Sequence, residues 1–152
     1  MLELEEAQQN MFINLSNHPS SNWPTEQKTE AEKLYGEVCD YPFPAVPVHF
    51  TSDDIVKNAE RIVAEIVDRK DKIEDDSLNA ENESDKARNR NFAVMCQGEF
   101  TLTYAIISLL QKAGIEVVSA VSERIVREEK VDEEIRKTAV FRFAGFREYP
   151  VL

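Results

Sequence analysis

Two short polar loops contain the side chains best suited to bind or transform a ligand. The first loop, Ser16–His18, follows the apolar segment Met11–Leu15, and the second, Gln97–Thr101, follows the apolar segment Phe92–Cys96. Hydroxyl, amide and imidazole groups donate and accept hydrogen bonds, and histidine also transfers protons near neutral pH. These two loops are therefore the candidate functional site.

Gly98 has the position expected of a ligand-binding turn. The chain has four glycines, and the other three are explained as two helix ends and a strand bulge. Gly98 lies between a strand and a helix, where a residue without a Cβ lets the N–H groups of residues 99–101 approach a phosphate. A tight turn without a ligand role is the alternative. The predicted ligand-binding residues of this segment are Gln97, Gly98, Glu99, Phe100, Thr101 and Tyr104.

Two other groups can supply proton transfer and positive charge. His18 could act as a general acid or base, could contact a phosphate, or could be a loop histidine bonded to its neighbours. Ser122 and Arg124 follow a predicted strand and would face the same rim, unless Arg124 forms a solvated pair with Glu123. No Ser/His/Asp triad and no carboxylate pair at a useful spacing is identifiable, so the sequence gives no support to hydrolysis by those routes.

The elements that must position these loops alternate between strand and helix. Apolar runs and helical periodicity predict strands at residues 11–15, 37–41, 92–96 and 115–120, with helices at 23–35, from about 51 to 67, and 100–113. This order predicts an α/β, doubly wound (Rossmann-like), mostly parallel sheet with helices on both faces. The β-rich segments Arg124–Lys130 and Thr138–Phe146, joined by the acidic turn Val131–Ile135, predict a C-terminal antiparallel β-hairpin.

The strand order determines where a ligand would bind. In doubly wound sheets, ligands bind beyond the carboxyl ends of the strands, where the strand order reverses. With the order 2-1-3-4, the reversal lies between the first and third strands. These are the strands that precede the two polar loops.

Length and composition predict one domain. The chain has 152 residues, of which 42% are hydrophobic, and this size suits a single core. We interpret residues 1–10 as a flexible N-terminal arm, residues 11–152 as the domain, and residues 68–90 as a frayed helix end followed by a mobile acidic loop. No apolar run is long enough to cross a bilayer and the N-terminus lacks a signal pattern, so we expect a cytoplasmic protein without membrane contact.

Charge and motif content exclude several function classes. The net charge of −11 opposes binding to long nucleic acids, which needs clustered Lys and Arg. Neither G-x-G-x-x-G nor G-x-x-x-x-G-K-S/T occurs, so the chain is not an ordinary dinucleotide enzyme or a P-loop protein. The two cysteines and two histidines share no ligand spacing. We therefore expect no metal and no cofactor.

Three short motifs resemble those of small stand-alone CRISPR-associated Rossmann-fold (CARF) proteins, the group that binds cyclic oligoadenylates and includes the ring nucleases. The motifs are Asn14–Pro19, the Gly-Glu-Phe-Thr turn extended to Tyr104, and Ser122–Arg124 ahead of the terminal strands through Phe143–Tyr149. Together they span most of the chain from Met11.

The resemblance implies a homodimer that binds cyclic tetra-adenylate across its two-fold axis, in type III CRISPR antiviral defence. It also implies metal-independent cleavage to linear products, with His18, Ser16 and Arg124 as candidate catalytic residues. Asn17, Ser122 and the Gln97–Tyr104 residues named above would bind the ligand. There are two alternatives: a non-catalytic module that sequesters or senses the messenger, and a structural protein with an unused pocket.

If the turn at Gly98 binds the ligand, we expect Gly98→Val to fold and dimerise but to bind ligand at least tenfold more weakly, about 1.4 kcal/mol. The apolar segment Phe100–Gln111 is the predicted dimer contact.

Overall fold

The computed structural model describes residues 10–78 and 92–152. Its elements are β1 (Met11–Ser16), a 3-10 turn (Ser20–Asn22), α1 (Thr25–Tyr35), β2 (Glu37–Pro42), α2 (Ser52–Leu78), β3 (Phe92–Gln97), α3 (Phe100–Lys112), β4 (Glu116–Val131) and β5 (Glu134–Glu148). Residues 1–9 of the predicted arm and residues 79–90 of the predicted insertion lie outside the described residues.

The strands form one sheet in the order β2-β1-β3-β4-β5, in which the first four strands are parallel and β5 is antiparallel to β4. The predicted α/β fold with a C-terminal hairpin is confirmed. The register of β1 against β3 pairs Ser16 with Gln97. Because these residues end their strands, the two polar loops leave the sheet side by side, where the strand order reverses.

Helices cover both faces of this sheet. Successive residues of a strand point to opposite faces, so Phe12 packs in a cluster with Ala31 of α1, while Ile13 packs in the larger cluster with Ile62 of α2 and Ile106 of α3. All five side chains are fully buried. The rim at the carboxyl ends of the strands is thus enclosed by α1 on one side and by α2 and α3 on the other.

Helix α2 is longer than its apolar stripe predicts. It begins with reciprocal hydrogen bonds between Thr51 and Asp54, a capping arrangement, and it continues to Leu78. Residues 68–78 are therefore regular helix rather than a frayed end, supported by the i,i+4 pair Lys70–Glu74 and by the buried side chain of Ile73. Within residues 10–78 and 92–152 no helix is long and apolar enough to cross a membrane.

The C-terminal hairpin extends well beyond the rest of the sheet. Strand β4 pairs with β3 only from Glu116 to Val118, whereas it pairs with β5 along almost its whole length. Only Asp132 and Glu133 form the turn, with φ of 51° and 66°, so the turn is shorter than the predicted Val131–Ile135. The inner part of the hairpin supplies one wall at the rim of the sheet.

Candidate functional site

A cleft of about 530 Å³ lies at the carboxyl edge of the sheet, on the side covered by α1. Its lining includes five residues predicted for the site: Asn17, His18, Gln97, Gly98 and Ser122. The other lining residues are Asn22, Trp23, Pro24, Gln27, Met95 and Ala120. The fold thus brings the first loop, the start of the second loop and β4 together around one cavity.

The buried amide of Asn14 fixes the loop that carries His18. Its Nδ2 donates to the His18 carbonyl oxygen at 2.8 Å and to Oδ1 of Asp40 at 3.0 Å. The indole N–H of Trp23 donates to the same carbonyl at 3.0 Å. These bonds hold the main chain of the loop in one position, and the exposed imidazole of His18 stands at the wall of the cleft.

Ser16 is used within this turn. Its side chain is buried, its Oγ donates to Oδ1 of Asn14 at 2.6 Å, and the same Oγ accepts from the His18 N–H at 3.1 Å. Ser16 does not line the cleft that contains the His18 side chain. The structure therefore supports a positioning role for Ser16 and gives no support to the predicted catalytic role.

The N-terminus of α3 is already occupied by a carboxylate. Glu99 accepts hydrogen bonds from the main-chain N–H of Thr101 at 3.1 Å and of Leu102 at 2.8 Å, and from the Thr101 hydroxyl. The bond from Leu102 contributes most to lowering the pKa of Glu99, followed by those from Thr101. The Thr101 N–H was one of the groups predicted to bind a phosphate. It is not available to one, because it is already bonded to the Glu99 carboxylate.

Gly98 has a packing explanation. A Cβ at this residue would lie 2.5 Å from three carbon atoms of the Phe43 ring, and Phe43 is only 8% exposed. Phe43 is the first residue of the proline-rich loop after β2, and its main-chain N–H donates a hydrogen bond to the Ser16 carbonyl. The absence of a side chain at Gly98 therefore lets this loop close against the strand-to-helix turn.

The predicted residues of α3 lie apart from His18. Phe100, Thr101 and Tyr104 line a second, mainly apolar cavity of about 510 Å³, together with Phe50, Thr51, Ser52, Ile55, Val56 and Ala105. Phe100 is 90% exposed and Tyr104 is 77% exposed. Seven of the eight predicted ligand-binding residues are thus divided between two cavities, and Glu99 lines neither.

The cleft beside His18 lacks strongly acidic and strongly basic side chains among its described lining residues. Its polar residues carry amide, hydroxyl and imidazole groups, with neither carboxylates nor Lys or Arg side chains among the described lining residues. Arg124 lies two residues beyond Ser122 on the same face of β4, about 7 Å further out, and does not line the cleft. In the described part of the chain, no three His, Cys, Asp or Glu side chains could together hold a metal ion.

Six lining residues were not predicted for the site, and four of them come from one segment: Asn22, Trp23, Pro24 and Gln27. These four lie at the end of the β1–α1 loop and in the first turn of α1. A helix that follows a parallel strand begins at the edge where that strand ends. The start of α1 therefore belonged to the same rim as His18, and this signal was available in the order of the elements.

The comparisons with known proteins give one match. No curated protein and no solved structure matches the chain. A family model described as the uncharacterized protein MJ1673 family matches residues 10–147, which extend from the start of β1 into β5 and include every residue that lines the cleft. The chain belongs to the MJ1673 family.

Proposed function

We propose that this protein binds a cyclic oligoadenylate, with cyclic tetra-adenylate as the expected ring, in the cleft beside His18. The ligand class comes from the resemblance of the loop motifs to CARF proteins. One observation carries the proposal: loops that the resemblance assigns to ligand binding, Asn17–His18 and Gln97–Gly98, line a single cleft at the reversal of strand order.

The chemistry of the lining suits a nucleobase. Asparagine and glutamine amides can pair with the N6 and N7 edge of adenine, and aromatic faces stack on bases without regard to sequence. The indole N–H of Trp23 is bonded to the His18 carbonyl, so its ring face is the part available for stacking. The net charge of −11 disfavours a polymer, whereas a small ring needs to contact only the surface around this cleft, whose lining has no carboxylate.

The proposal includes a homodimer. A ring with near two-fold symmetry is matched by two copies that present the same loops. Exposed apolar side chains on α3, above all Phe100 and Tyr104, offer surface that contact between two copies would bury. The apolar segment Phe100–Gln111 remains the predicted dimer contact.

A ligand screen tests this proposal. Cyclic tri-, tetra- and hexa-adenylate should be compared by thermal melting, with linear tetra-adenylate as the control. We expect cyclic tetra-adenylate at about 100 times its Kd to stabilise the fold by about 2.7 kcal/mol, and light scattering to give twice the chain mass of 17.4 kDa. If no ring raises Tm, the chain is not a cyclic oligoadenylate protein.

Cleavage of the bound ring is a second candidate function. The observation that favours it is the exposed imidazole of His18 on a main chain fixed by Asn14 and Trp23. A ribose 2′-hydroxyl would attack the adjacent phosphorus as His18 accepts its proton, and the bond to the 5′ oxygen would break. The 5′ oxygen would take a proton from water, which leaves a linear product with a 5′-hydroxyl and a 2′,3′-cyclic phosphate. Neutral donors of the cleft would stabilise the phosphorane charge.

Substitution of His18 separates binding from cleavage. In single-turnover chromatography with cyclic tetra-adenylate, we expect His18→Ala to reduce the cleavage rate by about 100-fold or more, the usual contribution of a general base. Affinity should change by less than about tenfold, because the base acts in the transition state. Equal cleavage rates for the parent and the variant would show that His18 takes no part in the reaction. A ring that stays intact with the parent would select the binding module.

A further inference from the structure

Helix α1 begins without a side-chain cap. Its N-cap residue is Pro24, and no side chain accepts a hydrogen bond at this end within the described residues. By contrast, Glu99 caps α3 and Thr51 with Asp54 caps α2. The first N–H groups of a helix need partners. Pro24 and Gln27 line the cleft, so this end of α1 lies beside it.

Gln27 gives a second, independent indication of a ligand at this position. It is the third residue of α1, it is only 9% exposed, and it lines the cleft. In the part of the chain that the structure describes, no hydrogen bond involves its side-chain amide. The amide atoms are not among the fully buried unpaired atoms, which are Asn10 Oδ1 and Thr103 Oγ1, so a ligand in the cleft can reach them. Helical side chains lean toward the N-terminus, so the Gln27 side chain is directed toward the uncapped start of α1.

We propose that the N-terminus of α1 binds a phosphate group, held by the main-chain N–H of Thr25 and Glu26 and by the side-chain amide of Gln27. The identity of the whole ligand rests on the proposed function, but the phosphate site does not. The partial positive charge of a helix N-terminus favours an anion, and neutral donors suffice where the cleft has no Lys or Arg. Glu26 contributes only its main chain, since its side chain is exposed to solvent.

The first test is the nearly isosteric change Gln27→Glu. It replaces the amide by a carboxylate that repels phosphate and cannot donate, so calorimetry should show at least a tenfold loss of affinity for cyclic tetra-adenylate. The matched control is Asn58→Asp, the same amide-to-carboxylate change on α2, because Asn58 accepts a hydrogen bond from Arg61 and does not line the cleft. The control should bind like the parent. Equal binding by both variants would overturn the phosphate site.

The second test uses the unaltered chain and inorganic phosphate. In a ¹⁵N-labelled sample, phosphate should shift the main-chain amide signals of Thr25 and Glu26 and the side-chain amide of Gln27. The Thr101 and Leu102 amides, which bond Glu99, should not respond.

The two tests distinguish failure of the phosphate site from failure of the proposed function. Phosphate shifts at Thr25 and Glu26 without binding of any cyclic oligoadenylate would support the site and reject the ligand class. Cyclic tetra-adenylate bound without those shifts, and equally well by Gln27→Glu, would reject the site and leave the proposed function in place.

Discussion

A Gly98→Val chain is expected to be less stable than the parent, and to lose stability before any effect on ligand binding is considered. The new Cβ would lie 2.5 Å from the ring of Phe43, and this ring is only 8% exposed. It has little room to withdraw, so the loop after β2 must move. Overpacking of this kind typically costs about 1–3 kcal/mol, and urea unfolding would measure it.

A double-mutant cycle with Phe43→Ala provides the control. That change alone removes a buried aromatic side chain and should cost about 3–5 kcal/mol. In its background, Gly98→Val should cost much less than in the parent, because the clashing ring is absent. An equal cost in both backgrounds would show that contact with Phe43 is not the reason for glycine at residue 98.

The contact between Gly98 and Phe43 marks a limit of sequence reasoning. The segment Phe92–Cys96 predicts a buried strand and Gly98 predicts a turn, since both signals are local. Pro42, Pro44 and Pro47 likewise predict a rigid extended loop after β2. Which side chain that loop places against Gly98 depends on tertiary packing between distant segments. The structure therefore adds to the expectation that Gly98→Val folds and dimerises: it should do so with reduced stability.

The positions of the strands and of the cleft could be predicted from the sequence more fully. Apolar runs in β1 and β3, each followed by polar residues, predicted strands at residues 11–15 and 92–96, and the alternation with helices predicted the sheet between them. The register that places Ser16 beside Gln97 follows from that parallel pairing. The location of the rim depends on the order of the strands in the sheet, and the alternation of strands and helices in the sequence can indicate that order.

Which side chains of the rim line the cleft could be predicted less well from the sequence. Glu99 lies at a helix start, where a carboxylate commonly caps the N–H groups, yet the sequence alone does not distinguish this cap from a ligand contact. Phe100 and Tyr104 are four residues apart and share a helix face, but only the packing of α3 on α2 shows that this face lies away from His18. To place Gln27 in the cleft, one also has to know that α1 begins at the rim where β1 ends.

An Asn14→Asp chain should lose still more stability, and the loss should grow with pH. Asn14 is 1% exposed, and its amide donates to the His18 carbonyl and, at 3.0 Å, to the Asp40 carboxylate. An ionised aspartate cannot donate to either oxygen and places a second negative charge beside Asp40. An uncompensated buried charge typically costs about 3–5 kcal/mol.

The pH dependence has a definite sign. Burial and the charge of Asp40 raise the folded-state pKa of the introduced carboxyl above its unfolded value of about 3.9. Its penalty is therefore small below that unfolded pKa and increases as the pH rises toward the folded pKa, where the folded chain holds a proton that the unfolded chain has lost.

The neutral variant Asn14→Leu isolates the contribution of charge. It removes the same hydrogen bonds without adding an ionisable group, so its penalty should be about 1–3 kcal/mol for each buried group left unpaired, with no added pH dependence. Denaturant unfolding of the parent and both variants between pH 4 and pH 8 measures the difference. Parallel pH profiles for the two variants would show that the carboxylate at residue 14 escapes burial, and that the loop carrying His18 can rearrange around it.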